Sequence, residues 1–340
     1  MIKENVSLKS FNTFKTGGEA RYFAEINLVD ELPDVLQFAK EKGLPVLVLG
    51  GGSNILVSDN GFPGLVIKIS LKGIEWLGRD EEIDVVASAG ESWDKLVEQS
   101  VSRGLYGLEN LSGIPGTVGA APVQNIGAYG SEIKNHLSWV EVFDRADNKI
   151  KKLSKGDCRF SYRGSIFKEL GVGSLIITRV CFSLKKKGAP NLSYKDLKEY
   201  FLDRSPSLKE VREAVLYIRG RKFPDLNKFG TAGSFFKNPI VSREKLESIL
   251  KNYPDLPYFE NQSGEFKIPA AWILDKVFNL RGKIFGQVEF FKDQPLVVVN
   301  LGEALSSEIK NTTDKIIKDV KEKTGITLER EIILVGEFDF

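Results

Sequence analysis

The sequence predicts a multidomain protein of mixed α+β and α/β class, built from three domains. Three observations carry this. The 340 residues are too many for one small core. A chain 42% hydrophobic and 28% charged packs as an ordinary globular protein, which excludes wholesale disorder and collagen-like structure. Stretches of helical periodicity alternate with short apolar runs bounded by glycine and proline.

The elements follow in order. Asp30 to Lys42 places Leu32, Val35, Leu36 and Ala39 on one helical face; Pro33 sits in the tolerant first turn and Gly43 ends the helix. Val46 to Leu49 reads as a short buried strand that breaks into Gly50-Gly51-Gly52-Ser53-Asn54, and Leu65 to Ile67 is a further apolar run. Ile83 to Ala89 reads as a strand. Ser92 to Arg103 reads as a helix with Ser92 as N-cap and Leu96, Val97, Ser100 and Val101 inward. Residues 105–130, rich in glycine, read as a winding loop with one embedded helical turn. Val140 to Asp144 and Leu175 to Leu184 are strand-like. Ser207-Leu208-Lys209-Glu210 is a capping box opening a helix through Ile218. Ser307 to Lys323 is amphipathic and stopped by Gly325, and the apolar tail Ile326 to Val335 returns as a strand to an earlier domain. The division expected is 1–70, then 71–218 joined by a returning strand from 325–340, then 219–324.

Charge and composition narrow the chemistry. Lys+Arg 48 against Asp+Glu 46 leaves a net charge of +2, which argues against a dedicated nucleic-acid binder. No run approaches the ~20 apolar residues of a membrane span, and the first residues lack a secretory pattern. Cys158 and Cys181 make neither a disulfide scaffold nor a zinc cluster, and their scarcity fits a reducing compartment. A single histidine, His136, removes metal triads and leaves a Ser-His-Asp triad only if that one residue serves. The expectation is a cytoplasmic, monomeric enzyme without a metal.

Glycine concentrates where chemistry is expected. A strand that breaks into consecutive glycines lets backbone N–H groups converge on a pyrophosphate without a Cβ in the way. The run is neither the usual dinucleotide fingerprint, since Ile55 holds the third glycine position, nor a Walker loop. Two further glycine loops follow, Ser112 to Gly119 and Asn125 to Gly130. Together the three loops can wrap one long ligand with a phosphate centre and a flat aromatic end.

VLGGGSN at 48–54, SGIPGTVGAAP at 112–122 and QNIGAYG at 124–130 resemble the UDP-N-acetylenolpyruvoylglucosamine reductase (MurB) family, flavoproteins of bacterial peptidoglycan synthesis. The opening Leu8-Lys9-Ser10-Phe11-Asn12-Thr13-Phe14 is similar too. So are CRFSYRGSIFK at 158–168, AGSFFKNP at 232–239 and LEREI at 328–332, so the resemblance covers nearly the whole chain. It implies a two-part FAD-binding domain of the vanillyl-alcohol-oxidase type and a C-terminal α+β domain for a UDP-sugar. It also implies a reaction in two halves, with NADPH as the hydride-donating co-substrate and an enolpyruvyl sugar as the acceptor. On the same footing the cofactor-binding candidates are Gly50, Gly51, Gly52, Ser53, Asn54, Ser112, Gly113, Ile114, Pro115, Gly116, Thr117, Gly119, Asn125, Gly127, Ala128 and Tyr129.

Residue chemistry agrees with the roles the family implies. Hydride addition to a carboxylate-bearing enol ether builds enolate-like charge, which a fixed guanidinium stabilises. Arg163, in the cluster Tyr162-Arg163, stands at the family's arginine position, with Arg159 the less favoured neighbour. Ser234 lies between a glycine and Phe235-Phe236, near an expected dry centre, where the family has its proton donor. Alternation along 328–332 puts Glu329 and Glu331 on one side of a strand, and Glu331 matches the catalytic glutamate. For the UDP-sugar, Lys222 matches a phosphate-contacting lysine, Tyr194 a tyrosine loop that closes over substrate in one subtype, and Arg219, Asn238 and Gln294 further substrate positions. Two other readings are a related flavin oxidase or dehydrogenase of a hydroxy acid or sugar, and a non-catalytic nucleotide-sugar sensor. A yellow flavin colour would exclude a flavin-free sensor, and NADPH consumption dependent on the enolpyruvyl substrate would separate the reductase from the oxidase.

Overall fold

Two units are woven from non-contiguous stretches of the chain, which a computed structural model describes over residues 1–169, 174–261 and 263–338. The first unit comprises residues 1–6, 20–52 and 63–220, and the second 7–19, 53–62 and 221–340. No helix among the described residues is long and apolar enough to cross a membrane.

The first unit holds a four-stranded and a five-stranded sheet besides a short two-stranded hairpin. Strands β1 (Ile2–Ser7), β2 (Glu19–Ile26), β3 (Val46–Leu49) and, beyond β4 (Ile55–Val57), β5 (Phe62–Ile69) form one in the order β1-β2-β5-β3, with β3 and β5 parallel. Parallel pairing needs a crossover, and here the chain between the two strands, residues 50–61 with β4, makes it; helix α1 (Leu32–Glu41), which buries Leu32, Val35 and Ala39, lies earlier, between β2 and β3. The second sheet is antiparallel, with the order β11-β10-β12-β7-β6. Its strands are β6 (Ile74–Gly78), β7 (Glu82–Ser88), β10 (Leu137–Asp144), β11 (Lys149–Ser154) and β12 (Leu175–Lys185), numbered past the two-residue hairpin β8 (Gly127–Ala128) and β9 (Ser131–Glu132). Helix α2 (Trp93–Ser102) packs Leu96, Val97, Ser100 and Val101 inward, as its spacing predicts.

Three differences from the sequence reading have local causes. Residues 105–130 hold three short 3₁₀ turns, at Glu109–Leu111, Val118–Ala120 and Pro122–Gln124, rather than one helical turn. Glycines interrupt the run before any turn can lengthen. The capping box forms, with the Glu210 N–H 3.3 Å from the Ser207 hydroxyl and the Ser207 N–H 2.8 Å from the Glu210 carboxylate. Its helix, α5 (Leu208–Lys222) after the short α3 (Ile166–Glu169) and α4 (Lys195–Phe201), outruns Ile218 by a turn, because nothing stops it until Pro224 biases the chain before it out of helix.

The third difference concerns the domain boundaries. In the second unit β19 (Ile333–Val335) pairs in parallel with β4, Ile333 against Ile55 and Val335 against Val57. The returning segment expected at 325–340 therefore joins residues 53–62 of the second unit and not the strands of 71–218; its residues 339–340, like 170–173 of the middle range, lie outside the described residues. Before it comes α8 (Ser306–Thr324), preceded in chain order by β13 (Ile240–Val241), α6 (Arg243–Leu250), β14 (Phe259–Glu260), β15 (Phe266–Lys267), α7 (Ala270–Trp272), β16 (Ile284–Phe285), β17 (Val288–Phe290) and β18 (Val298–Asn300). Helix α8 buries Ile309, Ile316 and Val320 and ends at Gly325 in the left-handed region, φ +66°. The Asp59 carboxylate, from the β4–β5 connection, accepts the N–H groups of Ser306 and Ser307, both at 2.8 Å, and caps that helix.

Candidate active site

In the first unit the glycine loops meet backbone to backbone. A Cβ on Gly51 would lie 2.5 Å from the Cα of Gly116, and one on Gly50 2.7 Å from the Thr117 Oγ1. Only glycine allows that approach. In these two loops the left-handed conformations fall on Gly52, Gly113 and Gly116, φ +63°, +70° and +123°. Lys68 of β5 donates its ammonium to the Gly50 carbonyl, fixing the point where β3 ends. The Thr117 hydroxyl is buried without a hydrogen-bond partner among the described residues.

Gly113 is gripped from two sides. Its N–H reaches the Asp94 carboxylate at 2.6 Å and its carbonyl accepts the Arg219 Nε at 3.1 Å. Arg219 is also hydrogen-bonded to Tyr129. Burial pushes the Tyr129 phenol up to about 12, Asp196 and Tyr194 adding to the shift while Arg219 opposes it. The Tyr194 ring meets Tyr129 edge to face, centroids 5.4 Å apart. Asn110 pins the Tyr194 loop, donating to the carbonyls of Tyr129 and Asn191, both at 2.7 Å. Thus Tyr194 and Arg219, expected as substrate contacts, stand against the loops expected to hold the cofactor.

Arg163 occupies an outlying backbone conformation. Ser161 and Gly164 exchange both backbone hydrogen bonds, 3.1 and 3.3 Å, across a two-residue turn. Arg163 is its second central residue at φ +55°, a position that usually takes glycine. The Asn125 amide donates to the Ser161 carbonyl at 3.1 Å and to Glu132 at 2.9 Å, and Arg163 donates to the Gly127 carbonyl at 3.1 Å. Asn125, a candidate cofactor ligand, is fully buried and spends its side chain on that turn. The less favoured Arg159 pairs with Glu169 at 3.3 Å near the surface.

The second unit presents Ser234 on a three-layer ladder. Phe235 donates its N–H to the Leu296 carbonyl and accepts the Glu331 N–H on its own carbonyl, each at 2.8 Å. Phe235 and Phe236 are both fully buried, so Ser234 is the half-exposed residue just before a buried pair. Residues 328–332 do not form the even strand expected. Arg330 makes one isolated bridge to Phe236, and the chain bends at Glu331. Glu329 is exposed and pairs with Lys237 at 2.9 Å, whereas Glu331 is 8% exposed. The Asn54 amide holds the Glu331 carbonyl at 3.1 Å, and Asp314 of α8 pairs with Arg330. Asn238 accepts the Ala270 N–H at 2.9 Å and so caps α7, and Gln294 lies in the turn ahead of Leu296. Lys222 ends α5.

Asp94, Arg212, Asn110 and Asp314 are absent from the sequence reading. A lone acid or amide gives no local signal when its partner lies tens of residues away. Neither cysteine offers a nucleophile: both are fully buried, and burial pushes both thiols up to about 12.

Comparison with known proteins agrees with this geometry. The family model for an FAD binding domain matches residues 20–154, and that for the UDP-N-acetylenolpyruvoylglucosamine reductase C-terminal domain matches residues 225–335. The UDP-N-acetylenolpyruvoylglucosamine reductase of Chromobacterium violaceum is 40% identical, over 98% of this chain and 99% of its own. That of Flavobacterium johnsoniae is 38% identical over 98% and 99%. The crystal structure of the enzyme from Thermus caldophilus matches with a TM-score of 0.68 at 26% identity, over 98% of this chain and 100% of that one. Fold and site together define an FAD-containing oxidoreductase. This chain belongs to the UDP-N-acetylenolpyruvoylglucosamine reductase family.

The residues present fit that cofactor. A pyrophosphate needs close backbone approach and hydrogen-bond donors, and the Gly50–Gly51 contact with Gly116–Thr117 and the buried, unpartnered Thr117 hydroxyl are of that kind.

Proposed function

We propose that this chain catalyses the NADPH-dependent reduction of UDP-N-acetylenolpyruvoylglucosamine to UDP-N-acetylmuramate in peptidoglycan precursor synthesis. Bound FAD supplies the acceptor and donor of hydride. Ser234 holds the proton delivered to the carbon bearing the carboxylate. Arg163 balances the charge that develops on that carboxylate, and Glu331 helps to polarise the intermediate or relays the proton. Lys222, Asn238 and Gln294 bind the UDP-sugar, and Tyr194 closes over it. Free cysteines fit work in the cytoplasm. The carrying observation is the ladder through Phe235, which presents Ser234 half-exposed and, through the next residue's carbonyl, joins its segment to the backbone of the buried Glu331.

Stopped-flow absorbance of the flavin tests this. In Ser234→Ala, flavin reduction by NADPH needs no proton from the side chain and stays near wild type. Reoxidation by the enolpyruvyl substrate slows by about 10²–10⁴. Ser234→Cys recovers part of that rate. Equal slowing of both halves, or of neither, rejects Ser234 as the proton donor.

A further inference from the structure

Of the three arginines of helix α5, Arg212 and Arg219 stand seven positions apart and so on one face. Both converge on the same glycine of a cofactor loop. Arg212 forks onto Asp94 with Nη1–Oδ1 2.6 Å and Nη2–Oδ2 2.9 Å, and its side chain is only 11% exposed. The same Asp94 Oδ1 takes the Gly113 N–H, while Arg219 takes the Gly113 carbonyl. Gly113 stands at φ +70°, and a Cβ there would meet Leu216, also of α5, at 2.8 Å. Its two backbone groups, its conformation and the space beside it are thus all set by α5 and the first turn of α2.

We propose that Asp94 and Arg212 are positioning residues for the flavin: neither touches it, but together they hold the 112–117 loop in the shape that binds it. The proposal rests on reading residues 112–117 as part of the cofactor cradle. Without the Arg212 fork, Asp94 is free to rotate away from the Gly113 N–H. Without Asp94, a nearly buried guanidinium loses its counter-charge and competes for the carbonyls of the loop. Either change lets Gly113 relax while the sheets stay as they are.

The full-length holoenzyme is diluted through its FAD dissociation range, and released flavin is read by fluorescence. Asp94→Asn and Arg212→Met each raise the FAD Kd about tenfold or more, as expected for a charge-assisted pair. The double variant is no worse than the poorer single, because the pair acts as one unit. Arg212→Lys, which keeps charge but not the fork, falls between. Melting temperatures at saturating FAD stay within about 3 °C of wild type. Wild-type FAD affinity in Asp94→Asn and Arg212→Met overturns the proposal, as does a loss of FAD that merely follows a collapse in melting temperature. Gly116→Val separates the underlying reading: if it too binds FAD normally, the loop is not part of the cradle, whereas if it alone loses FAD, only the positioning role fails.

Discussion

Arg163 departs at the residue scale from local backbone preference, which fits the catalytic role proposed for it. A non-glycine residue in the left-handed region costs roughly 1–2 kcal/mol, and Gly164 follows directly, so a more compliant residue was one position away. Such strain persists where the side chain is needed. Arg163→Gly is therefore expected to leave the melting temperature within about 2 °C of wild type, while slowing flavin reoxidation by substrate at least about a hundredfold; a variant with ordinary turnover removes Arg163 from the chemistry. Arg163→Lys keeps the charge, loses the planar fork and lies between. Glu109 makes the opposite case, a buried acid outside the proposed chemistry. Burial raises its carboxyl above the ordinary value, although the Gly107 N–H, at 2.6 Å, pulls it back. A raised carboxyl means that the folded state holds its proton more tightly than the unfolded state, so stability falls as pH rises through that window. Glu109→Gln retains an acceptor for Gly107 and is expected to raise the melting temperature at pH 8 and change it little at pH 4. A gain that is the same at both pH values rejects the titration. Ser234, Arg163 and Glu331 are legible in sequence only as members of motifs, because nothing in a lone serine or glutamate marks it. Glu109 is not legible at all, since its burial follows from the turns around it.

At the scale of elements the sequence was most readable where a helix or strand carries its own signals. Ser207 to Glu210 and Gly325 mark helix ends that form as read, because caps act within one turn. The glycine loops were legible as places but not as contacts. Periodicity does not reveal that Gly50 and Gly51 face Gly116 and Thr117 across sixty residues. That contact sharpens a prediction. Gly51 is not at positive φ, so its substitution acts through space alone, and the smallest side chain suffices. Gly51→Ala must part the two loops, since its Cβ would stand 2.5 Å from the Gly116 Cα. FAD affinity is expected to fall about tenfold or more, measured as the flavin retained per chain after gel filtration; full retention denies the loop contact any part in binding. The Tyr194 loop is a second case. Tyr194→Phe loses about one hydrogen bond, roughly 0.5–1.5 kcal/mol, and raises the substrate KM modestly. Asn110→Ala cuts the loop from the Tyr129 carbonyl and leaves buried acceptors bare, at about 1–3 kcal/mol, so KM is expected to rise further, by about tenfold. Equal, negligible changes reject the lid.

At the scale of the whole molecule, chain order and spatial order part company. Composition and spacing have no means of showing that residues 7–19 and 53–62 belong with 221–340, because short extended segments look alike until they find partners. The interleaving nonetheless has a direct consequence. Phe14 and Leu56, both fully buried, lie in the core of the second unit with Phe235, Phe236 and Ile332. The Phe14 carbonyl accepts the Asn300 amide at 2.9 Å, the Thr13 carbonyl accepts the Thr231 N–H at 2.9 Å, and β19 has β4 as its partner. Asp59 caps α8, the longest helix. A fragment of residues 221–340 loses all of these at once. Removing two large buried side chains alone costs about 2–5 kcal/mol each, against a typical domain stability of about 5–15 kcal/mol, and the bare edge of β19 adds to the deficit. The lone fragment is therefore expected to keep helical circular dichroism from α8 without a cooperative melt or dispersed amide resonances. A chain in which residues 7–19 and 53–62 are fused ahead of 221–340 by flexible linkers is expected to regain a sigmoidal melt. A sharp thermal transition in the lone fragment would show that the second unit needs no help from the early chain, and that the returning strand is an ornament of the fold rather than one of its supports.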